Sequence, residues 1–235
     1  MTQDEHGTKV QAMFGQVAHR YDLMNTLMTM GQDWRWRRYI VRAAELRTGD
    51  HLLDLATGTG DLALDALAAA PGVTVTGADF TDEMLAIARR RPRGDEVTWV
   101  HADALDLPFA DASFDAITHG YLMRNITDIP RALAEQFRVL RPGGRVVALE
   151  TSPPPPGIMR PFTTAYIKGI FPAMGRLFGS DPEAYAYLSS TTRGFHGPQE
   201  VTEMLLDAGF VDVRVRTFMF GTLAVHSARK ARATR

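Results

Sequence analysis

Apolar residues recur at three- and four-residue spacing through Val10, Phe14, Val17, Tyr21, Met24, Leu27 and Met28, and again over 34–46, which predicts a helical front piece within residues 9–47. The rhythm changes at His51. Short apolar runs at 51–56, 73–79, 97–101, 114–119 and 145–150 then alternate with amphipathic segments at 61–70, 81–91 and 129–140. Strands alternating with helices predict an α/β fold, a parallel sheet covered on both faces. Pro142-Gly143-Gly144 reads as the turn between the 129–140 helix and the next strand. Ser152, four prolines and Gly157 then break the pattern, because that stretch is too stiff and too poor in donors for a helix or a central strand. We read it as a hinge. Residues 158–192 are helix-like and aromatic-rich, an insertion expected to cover the ligand edge of the sheet. A helix at 198–208 stops at Gly209, and strands at 210–217 and 220–227 flank Gly221 as a final hairpin. The expected organisation is a helical cap over 1–50, an α/β core over 51–152, a lid over 153–195, completion of the core over 196–229 and a basic tail over 230–235.

The segment from Leu53 to Asp61 lies where the first strand meets its helix. Gly58 and Gly60 there let the backbone bend tightly and admit a ligand where a Cβ would intrude. Gly58-x-Gly60-x-x-Ala63 by itself also satisfies a dinucleotide fingerprint, so a dehydrogenase is a rival reading. Asp54 before the bend, Asp79 closing the second strand and Asp103 closing the third separate the two. Three carboxylates ring one pocket, and a pyrophosphate at the helix N-terminus would find Asp54 and Asp61 electrostatically awkward, whereas a ligand with an ammonium and a sulfonium would find them favourable, which suits S-adenosylmethionine. In that reading Asp54 and the loop hold the methionine end, Asp79 accepts from the ribose hydroxyls, and Asp103 with the Ala104 amide meets the adenine.

Composition narrows the classes. The 235 residues, 45% hydrophobic and 23% charged, suit an ordinary globular chain. With 26 Lys+Arg against 27 Asp+Glu the net charge is -1, so no global field draws the chain to nucleic acid. The absence of cysteine removes thiolate chemistry and Cys-based metal sites, and the seven histidines form no H-x-x-x-H pair, so no metal is expected. The polar N-terminus lacks the order of a secretory signal, and the chain reads as cytoplasmic.

These residues, with Phe114-Asp115-Ala116-Ile117 and Leu140-Arg141-Pro142-Gly143-Gly144, resemble the class I S-adenosylmethionine-dependent methyltransferases. Tyr21-Asp22-Leu23-Met24-Asn25, the block Met123-Arg124-Asn125-Ile126-Thr127-Asp128, Glu150, Tyr185-Ala186-Tyr187-Leu188 and Ala224-Val225-His226 extend the match to the ubiquinone/menaquinone-biosynthesis C-methyltransferase family, over about residues 14 to 229. The resemblance implies a Rossmann-like seven-stranded sheet with a C-terminal antiparallel hairpin. It also implies methyl transfer to a ring carbon of a prenylated quinol, demethylmenaquinol or a ubiquinone precursor. The family's cofactor positions carry over as Thr59, Asp79, Asp103 and Ala104. Gly120 stands where the family usually has a cofactor-side serine, and Leu122 where it has a small glycine. With Arg193-Gly194-Phe195-His196-Gly197, these departures admit a related enzyme acting on a soluble phenolic or polyketide-like carbon. A non-catalytic cofactor-binding subunit is a further rival.

Methylation of carbon requires an electron-rich centre held in line, and positioning can contribute up to roughly 7–11 kcal/mol. Arg124, Asn125, His119 and Tyr121 follow the fourth strand and are the candidates for orienting or deprotonating the phenol. Arg124 comes first because a guanidinium stabilises a developing phenolate or holds an accepting water. The competing structural reading is an ion pair to Asp128, and His119 and His196 have packing or loop roles as alternatives. Tyr21, Asp22 and Asn25 in the cap, and Phe162, Tyr166, Tyr185, Phe195 and His196 in or beside the lid, are the expected substrate contacts. A prenyl tail would gain about 0.8 kcal/mol per buried methylene in an apolar groove there. The basic residues Arg229, Lys230, Arg232 and Arg235 read as a solvated tail or as attraction to anionic lipid. Peripheral contact with the inner membrane face and a homodimer both fit this picture.

Overall fold

A computed structural model of the chain describes residues 29–158, 160–165 and 194–232, together with positions 11, 15, 18, 25, 26, 169 and 191. Helix α1 (Asp33–Ala43) leads into β1 (His51–Leu55), α2 (Asp61–Ala69), β2 (Thr74–Asp79), α3 (Asp82–Arg90), β3 (Thr98–His101) and β4 (Phe114–Gly120). Then come α4 (Ile129–Val139), β5 (Leu140–Thr151), α5 (Arg160–Ala165), α6 (Pro198–Asp207), β6 (Phe210–Phe218) and β7 (Leu223–Lys230). The strands form one seven-stranded sheet in the order β3-β2-β1-β4-β5-β7-β6. Strands β1 to β5 run parallel, and β7 is antiparallel to both β5 and β6.

The period-2 alternation of each strand distributes side chains between two cores. Leu52, Val75, Ala116, Val147 and Val225 pack with Trp36, Ile40, Ala63 and Ala66 of α1 and α2. Leu53, Ile117 and Ala148 pack with Leu133 of α4 and Val201 and Leu205 of α6. The strand order reverses between β1 and β4, so a crevice opens at their carboxyl ends, the place where open α/β sheets take ligands.

Three sequence expectations change. Pro142-Gly143-Gly144 belongs to β5, as an irregularity in which Phe114 pairs with Leu140 and Ala116 with Arg145. Gly144 leaves no room for a side chain, since a Cβ would stand 2.8 Å from the Arg141 carbonyl and 2.9 Å from that of Asp115. The start of the predicted basic tail is structured as well. Lys230 ends β7 and donates to the Phe137 and Leu140 carbonyls at 2.6 and 2.9 Å, while Arg229 pairs with Glu45 at 2.6 Å. The final strand starts at Leu223, because the tight turn Met219–Gly221 takes up Phe220 with φ +55°. Arg235 lies outside the described residues.

Candidate active site

The bend after β1 is built from the inside. Asp54 points to the α2 side of the sheet and is 1% exposed. Its carboxylate accepts from the Thr57 hydroxyl at 2.5 Å and from the hydroxyl of Thr118, its β4 neighbour, at 2.7 Å. Burial pushes its pKa up to about 7, opposed by these hydroxyls and the Ala63 amide. Asp54 therefore braces the elbow from beneath, a correction to the expectation that it meets the ligand directly. Gly58 (φ +56°) and Gly60 (φ +88°) make the turn. The bare side of Gly60 faces Trp99, where a Cβ would lie 2.6 Å from the ring, so this glycine makes room for an indole and not for a ligand. Thr59 is 2% exposed between them.

Asp79, at the tip of β2, joins the elbow to the next loop. Its carboxylate accepts from the Gly58 amide at 2.7 Å and the Thr81 amide at 2.9 Å, and burial raises its pKa. Asp103 is exposed beyond β3, where it accepts from the Leu105 amide at 2.9 Å, and Ala104 beside it is buried. The nearby cations are engaged elsewhere: Arg37 pairs with Asp33, Asp61 and Asp65, and Arg91 with Asp61. Among the described residues no cationic side chain pairs with Asp54 or Asp79. Two buried carboxylates without a counter-charge at adjacent strand tips fit a ligand that brings its own positive charge.

On the other side of the crevice, β4 ends at Gly120, whose added Cβ would meet only ordinary contacts with Leu62 at 3.8 Å and Leu149 at 3.9 Å. Tyr121 adopts φ +60°, held by its amide donating to the Leu149 carbonyl and by Asn125 Nδ2 donating to the Tyr121 carbonyl, both at 2.7 Å. Arg124 lies over the Tyr121 ring at 5.2 Å and its Nη1 donates to Thr191 Oγ1 at 2.8 Å. The expected alternative of an Arg124–Asp128 pair is absent: Asp128 caps α4 through the Arg131 amide. Tyr121, Arg124 and Asn125 thus form one half-buried polar group past β4.

His119 does not join them. It is 0% exposed, on the face of the sheet covered by α4, level with Ala148 and His226. Burial depresses its pKa to about 4. A neutral, enclosed imidazole cannot reach a substrate, and the alternation of β4, which puts it on the same face as Ile117, was the signal for this. Phe195 is likewise committed to the core, at 8% exposed, with His196 half-buried beside it and 3.6 Å from Glu200. Asn25 is half-buried, and the cap touches the ligand edge where Gln11 donates to the Phe80 carbonyl at 2.8 Å. Tyr21, Asp22, Tyr166, Tyr185 and the side chain of Phe162 lie outside the described residues. The residue that sequence reasoning left without a role is Glu150: 1% exposed at the end of β5, it accepts from the Met123 amide at 2.6 Å.

The family model described as the ubiE/COQ5 methyltransferase family matches residues 2–230. The ubiquinone/menaquinone biosynthesis C-methyltransferase of Desulfotalea psychrophila is 47% identical over 220 residues, 94% of this chain and 89% of that protein. The demethylmenaquinone methyltransferase of Thermus thermophilus is 46% identical over 216 residues, 91% and 98% of the two chains. Among solved structures, a SAM-dependent methyltransferase from Thermotoga maritima aligns with TM-score 0.66 at 18% identity, over 94% of this chain and 99% of that one. The Haemonchus contortus phosphoethanolamine N-methyltransferase 2 bound to S-adenosyl-L-methionine aligns with TM-score 0.64 at 19% identity, over 85% of this chain and 53% of that one. The sheet order and antiparallel ending described above are thus those of class I methyltransferases.

Proposed function

The chain belongs to the ubiE/COQ5 methyltransferase family, and from that membership we propose that it methylates a ring carbon of a prenylated quinol, demethylmenaquinol or a ubiquinone precursor. Bound S-adenosylmethionine supplies an electrophilic methyl group on a sulfonium. The chain's own residues must hold the acceptor carbon in line and make it electron-rich. A carbon–carbon bond forms as the carbon–sulfur bond breaks, and the ring carbon then loses its proton to restore the aromatic ring.

The observation that carries this reading is the pairing of two groups across the crevice. On the β1–β2 side stand Asp79 and the elbow, a buried carboxyl with no counter-cation among the described residues. On the β4 side stand Tyr121, Arg124 and Asn125. A guanidinium beside a ring hydroxyl stabilises the phenolate and raises electron density at the adjacent carbon. Arg124 is assigned that role, and it can hold the water that takes the ring proton. Asn125 fixes the loop through the Tyr121 carbonyl. The relatives' names favour a quinol over the soluble phenolic acceptor.

A prenylated acceptor resides in a bilayer, and the reading extends to contact with its surface. Among the described residues no helix is long and apolar enough to cross a membrane. Ile158 (89% exposed) and Phe220 (66% exposed) are the two most exposed large apolar side chains among the described residues. Sedimentation with phospholipid vesicles should fall when both are changed to serine, and undiminished sedimentation would remove them from that surface.

The decisive assay incubates the purified chain with S-adenosylmethionine and demethylmenaquinone, either reduced or oxidised. Methylated product is expected from the reduced form alone. Turnover of a soluble phenol with none of the reduced quinone would move the acceptor to another class.

A further inference from the structure

Resting on the reading above, we propose that Glu150 is the positioning residue for Arg124: its buried carboxylate ties down the turn that carries this arginine and supplies the negative charge against which the guanidinium is set. The turn Met123–Asn125 has little regular structure to hold it, and it follows Tyr121 in a left-handed conformation that costs a residue other than glycine on the order of 1–3 kcal/mol. Something must over-determine it. Glu150 projects from the penultimate position of β5, on the same face as Ala148, and reaches beneath the turn. Its Oε1 accepts from the Met123 amide at 2.6 Å, and the Leu122 and Arg124 amides also favour its charged form.

Arg124 is the cation that favours this carboxylate's charge. Burial nevertheless pushes the Glu150 pKa up to about 7, so the arginine and the amides only partly offset desolvation. Glu150 Oε2 and Arg124 Nε are both buried without a hydrogen-bond partner among the described residues. Glu150 is too deep to touch a substrate, so any effect on catalysis must pass through the turn. A purely structural carboxylate would act on the amides alone. A positioning one acts on Arg124.

Glu150→Gln separates the two, because the amide oxygen can still accept from Met123 while the charge is gone. We expect kcat on the reduced quinone to fall about tenfold or more while calorimetric affinity for S-adenosylmethionine stays within about threefold. In an Arg124→Ala background the same change should cost nothing further, since the residue being positioned is absent. Wild-type kcat in Glu150→Gln, or losses that multiply in the double variant, would overturn the assignment. If Glu150→Gln does not fold, Glu150→Asp, which withdraws the charge by one methylene, is read against Arg124→Ala in the same way. The Arg124 Nε–H resonance gives a readout independent of the acceptor: it should exchange faster in either Glu150 variant. An unchanged resonance refutes positioning, whereas a wild-type protein that methylates no quinone refutes only the functional reading.

Discussion

The indole of Trp99 lies on the bare backbone of Gly77, so that a Cβ built there would come within 2.4 Å of the ring. The same indole fills the space beside Gly60, and its Nε1 donates to the Gly94 carbonyl at 2.7 Å. One aromatic ring from β3 therefore supports both the second strand and the elbow that follows the first. Gly77→Ala should destabilise the fold by ~1–3 kcal/mol through overpacking, and denaturant unfolding would measure it. Replacing Trp99 by Leu in that background should return part of the loss. Equal stability of wild type and Gly77→Ala would show that the ring is not a fixed support.

Asp79 connects the Gly58 amide to the loop that opens α3, and it is a buried acid at the tip of β2 that pairs with no cation among the described residues. Asp79→Ala removes both the brace and the charge. Hydrogen bonds to charged groups contribute about 1.5–3 kcal/mol, so affinity for S-adenosylmethionine should drop roughly 10- to 100-fold by calorimetry. Unchanged affinity would contradict the assignment of this residue to the cofactor.

How much of this was readable in the chain depends on the range of the interaction. The runs around Leu52–Leu55 and Ala116–Thr118 identified parallel strands because burial on both faces leaves near-continuous apolar sequence, and the glycine elbow announced the ligand edge. Side-chain direction was misjudged at Asp54, where an acid beside a glycine bend looks ligand-facing until Thr57 and Thr118 are seen to take up its oxygens. The function of Gly60 could not be separated from that of Gly58, because Trp99 is 39 positions further along and only sheet order brings it under the elbow. Pro142-Gly143-Gly144 has the composition of a turn. Its continuation into β5 depends on the carbonyl of Asp115 in a neighbouring strand.

His119 makes the acid limit of stability testable. Its folded pKa, about 4, lies below the ordinary histidine value of 6.5, so the neutral ring contributes stability that is present above pH 6.5 and lost as pH falls toward 4. The linked change is about 3 kcal/mol. Asp54 and Glu150, both raised to about 7, act in the opposite sense, with stability present at low pH and lost as pH rises through 7. The wild-type profile alone mixes these contributions. The difference between wild type and His119→Leu isolates the histidine, and it should shrink steadily from pH 6.5 to pH 4.5 in urea titrations. A constant difference would mean that the ring is not held neutral.

Gly120 closes β4 without needing to be a glycine. Its φ is not left-handed, and a Cβ would meet Leu62 and Leu149 at ordinary contact distances of 3.8 and 3.9 Å. The position faces the crevice between the elbow and Tyr121, so a hydroxyl there adds a donor and acceptor where the cofactor is proposed to lie. Gly120→Ser should shift stability by no more than about 0.5 kcal/mol and should leave S-adenosylmethionine affinity equal or improved. Serine also narrows the chain's conformational freedom in the unfolded state, which offsets any small loss from crowding. Calorimetry with the cofactor, paired with kcat on the reduced quinone, distinguishes the outcomes. A large fall in affinity without loss of stability would mean that the bare backbone at Gly120 is itself the ligand contact.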